Sequence, residues 1–395
     1  MKFSPSRQKK RVCMAVMNDL SFDPRVTKEA VTLLSAGYDL TIVALEGGNL
    51  TPEQLIMATI IRVKQEKTKI HTLLFSKKLL HIGNQTQQAM YTELVKVHAD
   101  IYHAHDLNTL LPIIRAARLN NSKVVYDSHE LFTETINSTN NGLLGSGYSL
   151  LLKWYFRTIE KKFIGDTDVV ITVNDAIADE LQKRYSITRP SVIMNCPELH
   201  DIKKKDLKVK FGLPNNAKII IYQGGVDKFR KLDSLIRALL LLPEEYFLVM
   251  FCIGDLSSLN KIVSILPTRK RVILTGPIEP QDLAGYTQSA HIGVIPFSGL
   301  NLNKKLALPN KLFEYMMAGI PVAASDLPVM RSVIRQSNVG DVFPDLSAHT
   351  IAKVIRMICE SPRYQEMKEN CITASRSLYN WQKESLKLLA LYENL

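Results

Sequence analysis

The residues best suited to chemistry fall in one stretch, Leu308-Pro309-Asn310-Lys311-Leu312-Phe313-Glu314-Tyr315. Pro309 presets a first helical turn, so the amides near Asn310–Leu312 are expected to point outward without intrahelical partners. Those amides, the helix dipole and the Lys311 ammonium together favour an anion such as a diphosphate. Glu314 lies just inside the helix, where its carboxylate could accept both hydroxyls of a ribose. An ordinary capped helix, with Glu314 as a dipole-compensating surface acid, fits the same residues. Two further candidates stand at strand ends. His129 follows the apolar run Val124-Val125-Tyr126, and Asp106 follows Ile101–Ala104, where it could equally serve as N-cap of a helix over Asn108–Leu119. No Asp-x-Asp pair lies where a diphosphate would need a bridging cation, so Lys311, Arg230 and helix amides are expected to neutralise it without a metal.

These residues need a scaffold that brings strand ends together, and the chain supplies the rhythm for one. Arg11–Met17 reads as a buried strand, followed by a helix capped by Asp23 with Pro24 at its first position and closing near Gly37. Strands are expected at Leu40–Leu45, Ile60–Val63, Ile101–Ala104, Val124–Asp127 and Val169–Val173. Helices are expected near Ile70–Leu80, Gln85–His98 and Asp175–Tyr185. Residues 198–215 are polar and aperiodic and read as a hinge. Beyond them the alternation restarts with Lys218–Tyr222, Phe247–Ile253, Val272–Leu274, Ile292–Ile295 and Pro321–Ala324. Strand alternating with helix throughout predicts an α/β protein of two doubly wound, Rossmann-like domains, residues 1–198 and 199–380. Ligands are expected in the cleft between them, at the carboxyl ends of the strands.

Composition narrows the partners. With 395 residues, 46% hydrophobic and 22% charged, the chain has ample core for two domains. No stretch reaches the ~18–20 apolar residues that a membrane span requires, and Val12–Met17 is too short for a signal-peptide core. A cytoplasmic protein is therefore expected. Five dispersed cysteines, without a Cys-x-x-Cys pair, argue for reduced thiols rather than disulfides or a zinc site. The net charge of +12 favours anionic partners. No basic patch interleaves aromatics, however, so nucleic acid is not expected. In residues 147–165, Leu151, Tyr155, Ile159 and Phe163 share one helical face, while Lys153, Arg157 and Lys161 share another. That pattern fits a core-packed helix with a solvated basic edge. It also fits a peripheral contact with anionic lipid at the inner face of the cell membrane, with Trp154 at the interface.

The segment around Pro309 and Glu314 resembles the donor-binding signature of the family-4 retaining glycosyltransferases of GT-B fold. The resemblance runs along nearly the whole chain. It includes Asp23-Pro24-Arg25-Val26, Tyr102-His103-Ala104-His105-Asp106, Tyr126-Asp127-Ser128-His129-Glu130, Gln223-Gly224-Gly225 with Arg230-Lys231, and Gly276-Pro277-Ile278. It implies transfer of a hexose-type sugar from a nucleotide diphosphate sugar to a lipid-linked or cell-envelope saccharide. Glu314 would hold the donor ribose, and Arg230 and Lys311 the diphosphate. Gly224 and Gly225 would admit the phosphates, Pro277 and Ile278 would frame the base, and Asn310 and Leu312 would complete the donor site. His129 would face sugar and acceptor, with Asp19, Arg25, Asp106 and Glu130 on the acceptor side. The resemblance also implies that a final helix, residues 381–395, crosses back to the first domain. Three positions depart from the family pattern. Leu306 stands where many relatives carry a glutamate, Gly225 replaces a usual arginine, and Asn18-Asp19-Leu20-Ser21-Phe22 replaces a glycine-rich loop. Two other readings use the same residues: a GT-B nucleotide-sugar epimerase, which would need Asp106, Glu130 or His129 as acid and base, and a non-catalytic nucleotide-sugar-binding relative.

Overall fold

The computed structural model describes residues 9–21, 23–47, 53–66, 83–136 and 142–395. The helix expected at Ile70–Leu80 lies outside them. The chain divides into two compact units, residues 1–195 with 384–395, and residues 196–383. Among the described residues each unit is built on one all-parallel sheet. In the first, β1 (Arg11–Ala15), β2 (Asp39–Leu45), β3 (Thr59–Val63), β4 (Ile101–His105), β5 (Lys123–Ser128), β6 (Val169–Thr172) and β7 (Ser191–Val192) lie in the order β3-β2-β1-β4-β5-β6-β7. In the second, β8 (Lys218–Gly225), β9 (Tyr246–Ile253), β10 (Val272–Thr275), β11 (Ile292–Ile295), β12 (Val322–Ser325) and β13 (Gly340–Phe343) lie in the order β10-β9-β8-β11-β12-β13.

Helices cover these sheets, so the central strands are apolar on both sides. In β8, Ile219, Ile220, Ile221 and Tyr222 are all buried; so are Tyr102 and Ala104 of β4. Strand order reverses between β1 and β4, and again between β8 and β11. At such a reversal the flanking loops diverge and leave a crevice at the carboxyl ends. Asp106 follows β4, Gly224 is the penultimate residue of β8, and His129 follows β5, the next strand over, so the candidate residues stand at or one strand from these two reversals.

The start of the chain folds as its caps dictate. Asp23 accepts a hydrogen bond from the Val26 amide, and Pro24 opens helix Pro24–Ser35. The preceding loop replaces glycine with side-chain bonds. Leu20 takes φ +65°, supported by its amide donating to Asn18 Oδ1 at 2.9 Å, while Asn18 Nδ2 donates to Asp23 Oδ2 at 2.8 Å.

The segment expected to be aperiodic is partly helical. Residues 198–215 contain helix Leu207–Phe211, capped by Asp206 and closed by Gly212 in the left-handed region. The segment is tied to the second unit, with the Lys205 amide donating to the Gly285 carbonyl and the Phe211 ring 6.5 Å from that of Phe251. Polar composition hid a five-residue helix that carries too few apolar positions to show a period.

The last helix, Trp381–Glu393, joins the first unit from Glu384 onward. The buried Glu384 carboxylate accepts from the Met194 amide at 2.9 Å, and Leu388 and Tyr392 are fully buried. Tyr392 shares a 2.7 Å hydrogen bond with His103 Nδ1 on β4 and packs edge-on to Tyr38. Tyr392→Ala should therefore destabilise the first unit by about 3–5 kcal/mol, the usual cost of emptying a large aromatic site. Hydrogen exchange should accelerate in β1–β7 and stay unchanged in β8–β13. Equal protection in mutant and wild type would show that the helix end is dispensable.

Candidate active site

In the second unit the site is built around Gly224. Its φ is +127°, a backbone state open mainly to glycine, and an added side-chain carbon would fall 2.8 Å from both Arg230 Nη1 and Lys311 Nζ. Two cations thus converge over one missing side chain. Arg230 is steered by Asp227, whose Oδ2 accepts from Nε at 2.8 Å, and by the Tyr222 hydroxyl, 3.3 Å from Nη1. The Lys311 ammonium donates to the Gln223 carbonyl and lies 4.2 Å over the Tyr222 ring. Burial, then repulsion from Arg230, pushes the Lys311 amine down to about 7, with Glu314 opposing.

Helix Asn310–Met317 delivers Lys311 and Glu314. Gly293 on β11 allows its close approach, since a methyl group there would meet the Tyr315 ring at 2.3 Å. Two expectations for this helix need correction. Pro309 sits at the N-cap in an extended conformation, not in the first turn. The Leu312 amide is not free, because it donates to the Pro309 carbonyl at 3.0 Å, and the Leu312 side chain is buried. Leu312 therefore anchors the helix and offers nothing to a ligand. Glu314 is aimed by a relay absent from the sequence reading: Thr287 Oγ1 donates to Gln223 Oε1 at 2.9 Å, and Gln223 Nε2 donates to Glu314 Oε2.

These groups line a pocket of about 420 Å³. Gly224, Arg230, Asn310, Lys311 and Glu314 form its polar side; Phe251, Ile253, Pro277, Ile278 and Leu283 form an apolar slot. Gly225 and Leu306 are outside the lining, and the Gly225 carbonyl instead accepts from the Tyr222 hydroxyl at 2.7 Å. A cationic floor, a carboxylate and an apolar slot match the three parts of a nucleoside diphosphate. Phe251 and Ile253 were missed in the sequence, although both occupy the carboxyl end of the strand beside β8.

The first unit gathers acids and imidazoles at its own strand ends. His129 Nδ1 is 3.3 Å from Asp106 Oδ2, and its Nε2 is 3.1 Å from Asp127 Oδ2. Against the cost of burial, Asp106 and then Asp127 raise the ring to about 10, which keeps it an imidazolium. Burial raises the Asp106 carboxyl to about 6 despite the attraction of His129. Asp106 does not cap the following helix, Leu107–Asn120, with its side chain. The Thr109 amide, which such a cap would bond, instead donates to the Asp106 carbonyl at 3.2 Å, and the Asp106 carboxylate accepts from the His129 amide at 3.2 Å.

Arg25, expected on the acceptor side, is 2% exposed. Its guanidinium forks onto Asp127 at 2.7 and 2.8 Å and reaches the Ile193 carbonyl at 2.8 Å, so no acceptor can touch it. Asp19 is half-buried; its Oδ1 accepts from the Ser21 amide at 3.1 Å, and its carbonyl takes Arg62 at 2.8 Å. Glu130 is half-buried beside the cluster. The donor atoms of Glu29, His103, His105 and Asp127 lie within 4.8 Å of one another, close enough to ligate a metal. Arg25, however, already takes both Asp127 oxygens and approaches Glu29 Oε1 at 3.2 Å, so a guanidinium fills the cationic place.

Two parallel, doubly wound units with polar groups collected at their strand ends define the GT-B class. The sequence model of Glycosyltransferase Family 4 matches residues 25–198, and that of Glycosyl transferases group 1 matches residues 203–378. The chain belongs to the family-4 glycosyltransferases and is an enzyme of the transferase class. It is 23% identical to the phosphatidyl-myo-inositol mannosyltransferase of Mycobacterium tuberculosis, over 80% of this chain and 79% of that protein. It is also 23% identical to TuaH of Bacillus subtilis, named for teichuronic acid biosynthesis, over 75% and 76%. Sucrose-phosphate synthase from Thermosynechococcus elongatus superposes with a TM-score of 0.76 at 17% identity, covering 98% of this chain and 99% of that one. HepE from Anabaena, solved with UDP, gives 0.72 at 12% identity, covering 98% and 100%.

Lys311 gives the pocket a measurable pH signature. With its amine near 7, it is mostly neutral at pH 8, and a bound diphosphate would raise that value. Nucleotide binding should then take up a proton at pH 8, and affinity should fall as pH rises above 7. Calorimetry of UDP, GDP or ADP in buffers of different ionisation enthalpy reads this directly. Buffer-independent heats, or proton uptake that persists in Lys311→Met, would contradict it.

Proposed function

We propose that this glycosyltransferase moves a hexose-type sugar from a nucleotide diphosphate sugar to a lipid-linked or cell-envelope saccharide, with retention of configuration and without a metal. The observation that carries the donor reading is the convergence of Arg230 and Lys311 over Gly224, opposite a Glu314 carboxylate oriented by Gln223. An arginine and a lysine that gains its proton when negative charge arrives suit the charge that develops on a departing diphosphate, and preorganised groups stabilise such charge without reorganising. Support for metal independence comes from the same pair. The Asp-x-Asp triplet Asp166-Thr167-Asp168 is engaged elsewhere, Asp166 with Arg118 at 2.6 Å and Asp168 with Lys123 at 2.8 Å, at the amino end of β5. Retention follows from the family resemblance. The acceptor class draws on the relatives named as a phosphatidyl-myo-inositol mannosyltransferase and for teichuronic acid biosynthesis.

A panel of nucleotide sugars, assayed with lipid-linked and free saccharide acceptors in excess EDTA, tests the proposal. Transfer should persist in EDTA, and the product should keep the donor's anomeric configuration by NMR. Glu314→Gln should weaken donor binding by roughly tenfold or more, the loss of a charge-assisted hydrogen bond. Activity that returns only with magnesium or manganese would overturn metal independence, and unchanged donor affinity in Glu314→Gln would overturn the ribose assignment.

A peripheral membrane contact belongs to the same proposal. Among the described residues no helix is long and apolar enough to cross a membrane. Helix Gly142–Phe163 divides its faces along its length: Tyr155, Ile159 and Phe163 are buried, whereas Leu150, Leu151 and Trp154 are exposed at 63%, 45% and 60%. Exposed Arg157, Lys161 and Lys162 follow on the same helix. Apolar side chains beside cations suit an anionic lipid surface. The protein should float with vesicles containing phosphatidylglycerol and not with pure phosphatidylcholine, and Leu150→Ser/Trp154→Ser should remove the difference. Equal recovery in both vesicle types would exclude this contact.

A further inference from the structure

The buried cluster of the first unit contains more groups than a sugar site needs, and their arrangement has a direction. Asp127 is fully buried at the end of β5 and is held on three sides. Arg25 forks onto both of its oxygens, His129 Nε2 approaches Oδ2 at 3.1 Å, and His105 Nδ1 approaches the same oxygen at 3.6 Å. His129 is 18% exposed, and the Asp106 side chain 29%. Charge and contact therefore pass from a sealed interior, through one imidazole, to one accessible carboxylate.

His129 has carboxylates at both ring nitrogens, so the imidazolium donates from both and keeps no lone pair for a proton from substrate. Its effect on the reaction must pass through what it holds. That group is Asp106, which adopts φ +63°, a conformation that side chains rarely take, and which makes no capping bond with its carboxylate. The conformation is maintained by the Asp106 amide donating to the Asp127 carbonyl at 2.9 Å and by the His129 amide donating to Asp106 Oδ1. Unusual backbone sustained by surrounding contacts is a mark of functional sites.

Resting on the transfer reaction proposed above, we propose that Asp127, braced by Arg25 and Glu29, is a positioning residue: it fixes the His129 ring as a cation, and the ring fixes the Asp106 carboxylate for the hydroxyls of the acceptor saccharide. The groups that face His129 come from three elements. Asp127 lies on β5, His105 and His103 lie on β4 stacked 4.1 Å apart, and Arg25 and Glu29 lie on helix Pro24–Ser35. Asp106 and Glu130 flank the exposed edge. Glu29 is fully buried with neither oxygen in a hydrogen bond, and Arg25 Nε stands 3.2 Å from Oε1. Removing the Asp127 charge would leave Arg25 with Glu29 and the Ile193 carbonyl, and His129 with Asp106 as its one carboxylate beside His105 Nδ1, 3.2 Å from its Nε2. The ring would then lose its proton more easily and turn more freely.

The experiment uses the full chain with ¹⁵N-labelled histidine, and its first readout needs no substrate. In wild type the His129 imidazole, assigned by its loss in His129→Gln, should remain doubly protonated through pH 9. In Asp127→Asn it should titrate at least one pH unit lower. Transfer by Asp127→Asn should fall by up to about 100-fold, as small misplacements can cost, with nucleotide affinity in the second unit unchanged and with a new loss of rate as pH rises from 7 to 9. On the His129→Gln background, Asp127→Asn should add little, since both act through one contact. If Asp127→Asn fails to fold, Arg25→Lys, which keeps the charge but loses the fork that holds Asp127 in place, should lower transfer by less than Asp127→Asn with nucleotide affinity unchanged, and should add little on the His129→Gln background. An unmoved His129 titration in the folded variant, or additive losses in the double mutant, would overturn the assignment. If no nucleotide sugar supports transfer, the function proposed above fails, while the histidine titration still decides whether Asp127 controls His129.

Discussion

Two like charges held close together are unfavourable, and the second unit is arranged around that constraint. Arg230 and Lys311 meet over Gly224 because a glycine leaves room there and because β8 ends at that point. The repulsion is relieved by the Asp227 carboxylate on Arg230, by partial neutralisation of Lys311, by the Gln223 carbonyl and by the face of Tyr222. A diphosphate would relieve it more fully, because ionised oxygens can accept from both side chains at once. The strand order, Gly293 under Tyr315 and the start of helix Asn310–Met317 all serve to bring these two side chains to one place.

The first unit solves the opposite problem with the same topology. Its strand ends bring carboxylates together, and it balances them with Arg25 and the imidazolium of His129 instead of leaving them to a ligand. A buried charge is tolerated only when paired and hydrogen-bonded. Arg25 meets that condition for Asp127, which leaves Asp106 as the carboxylate that reaches the surface. The last helix takes part through Tyr392 and His103, so distant ends of the sequence meet in one buried layer.

The alternation of strands and helices was legible because parallel strands read as short apolar runs and helices as capped, periodic ones. The pocket of the second unit was legible through Pro309, Lys311 and Glu314, whose spacing is local. What the sequence hid was long-range. Nothing near Thr287 or Gln223 announces that they orient Glu314, since the three meet only when β8 and two helices assemble. Arg25 looks like a surface arginine in a helix's first turn, yet its partner lies 102 residues away. Asp106 has the local pattern of an N-cap, and only the position of His129 shows that its carboxylate is engaged elsewhere. Leu312 was misread because a turn bond to the Pro309 carbonyl satisfies an amide expected to be open.

On the function proposed above, the second unit binds a nucleoside diphosphate through Arg230 and Lys311. The most direct test is a crystal structure of the complex with a nucleoside diphosphate grown in EDTA. Phosphate oxygens should lie within hydrogen-bond distance of Arg230 and Lys311, the ribose hydroxyls on Glu314, and the base against Pro277 and Ile278. A nucleotide bound away from Gly224, or complex formation that occurs only when a divalent cation bridges the phosphates, would contradict it.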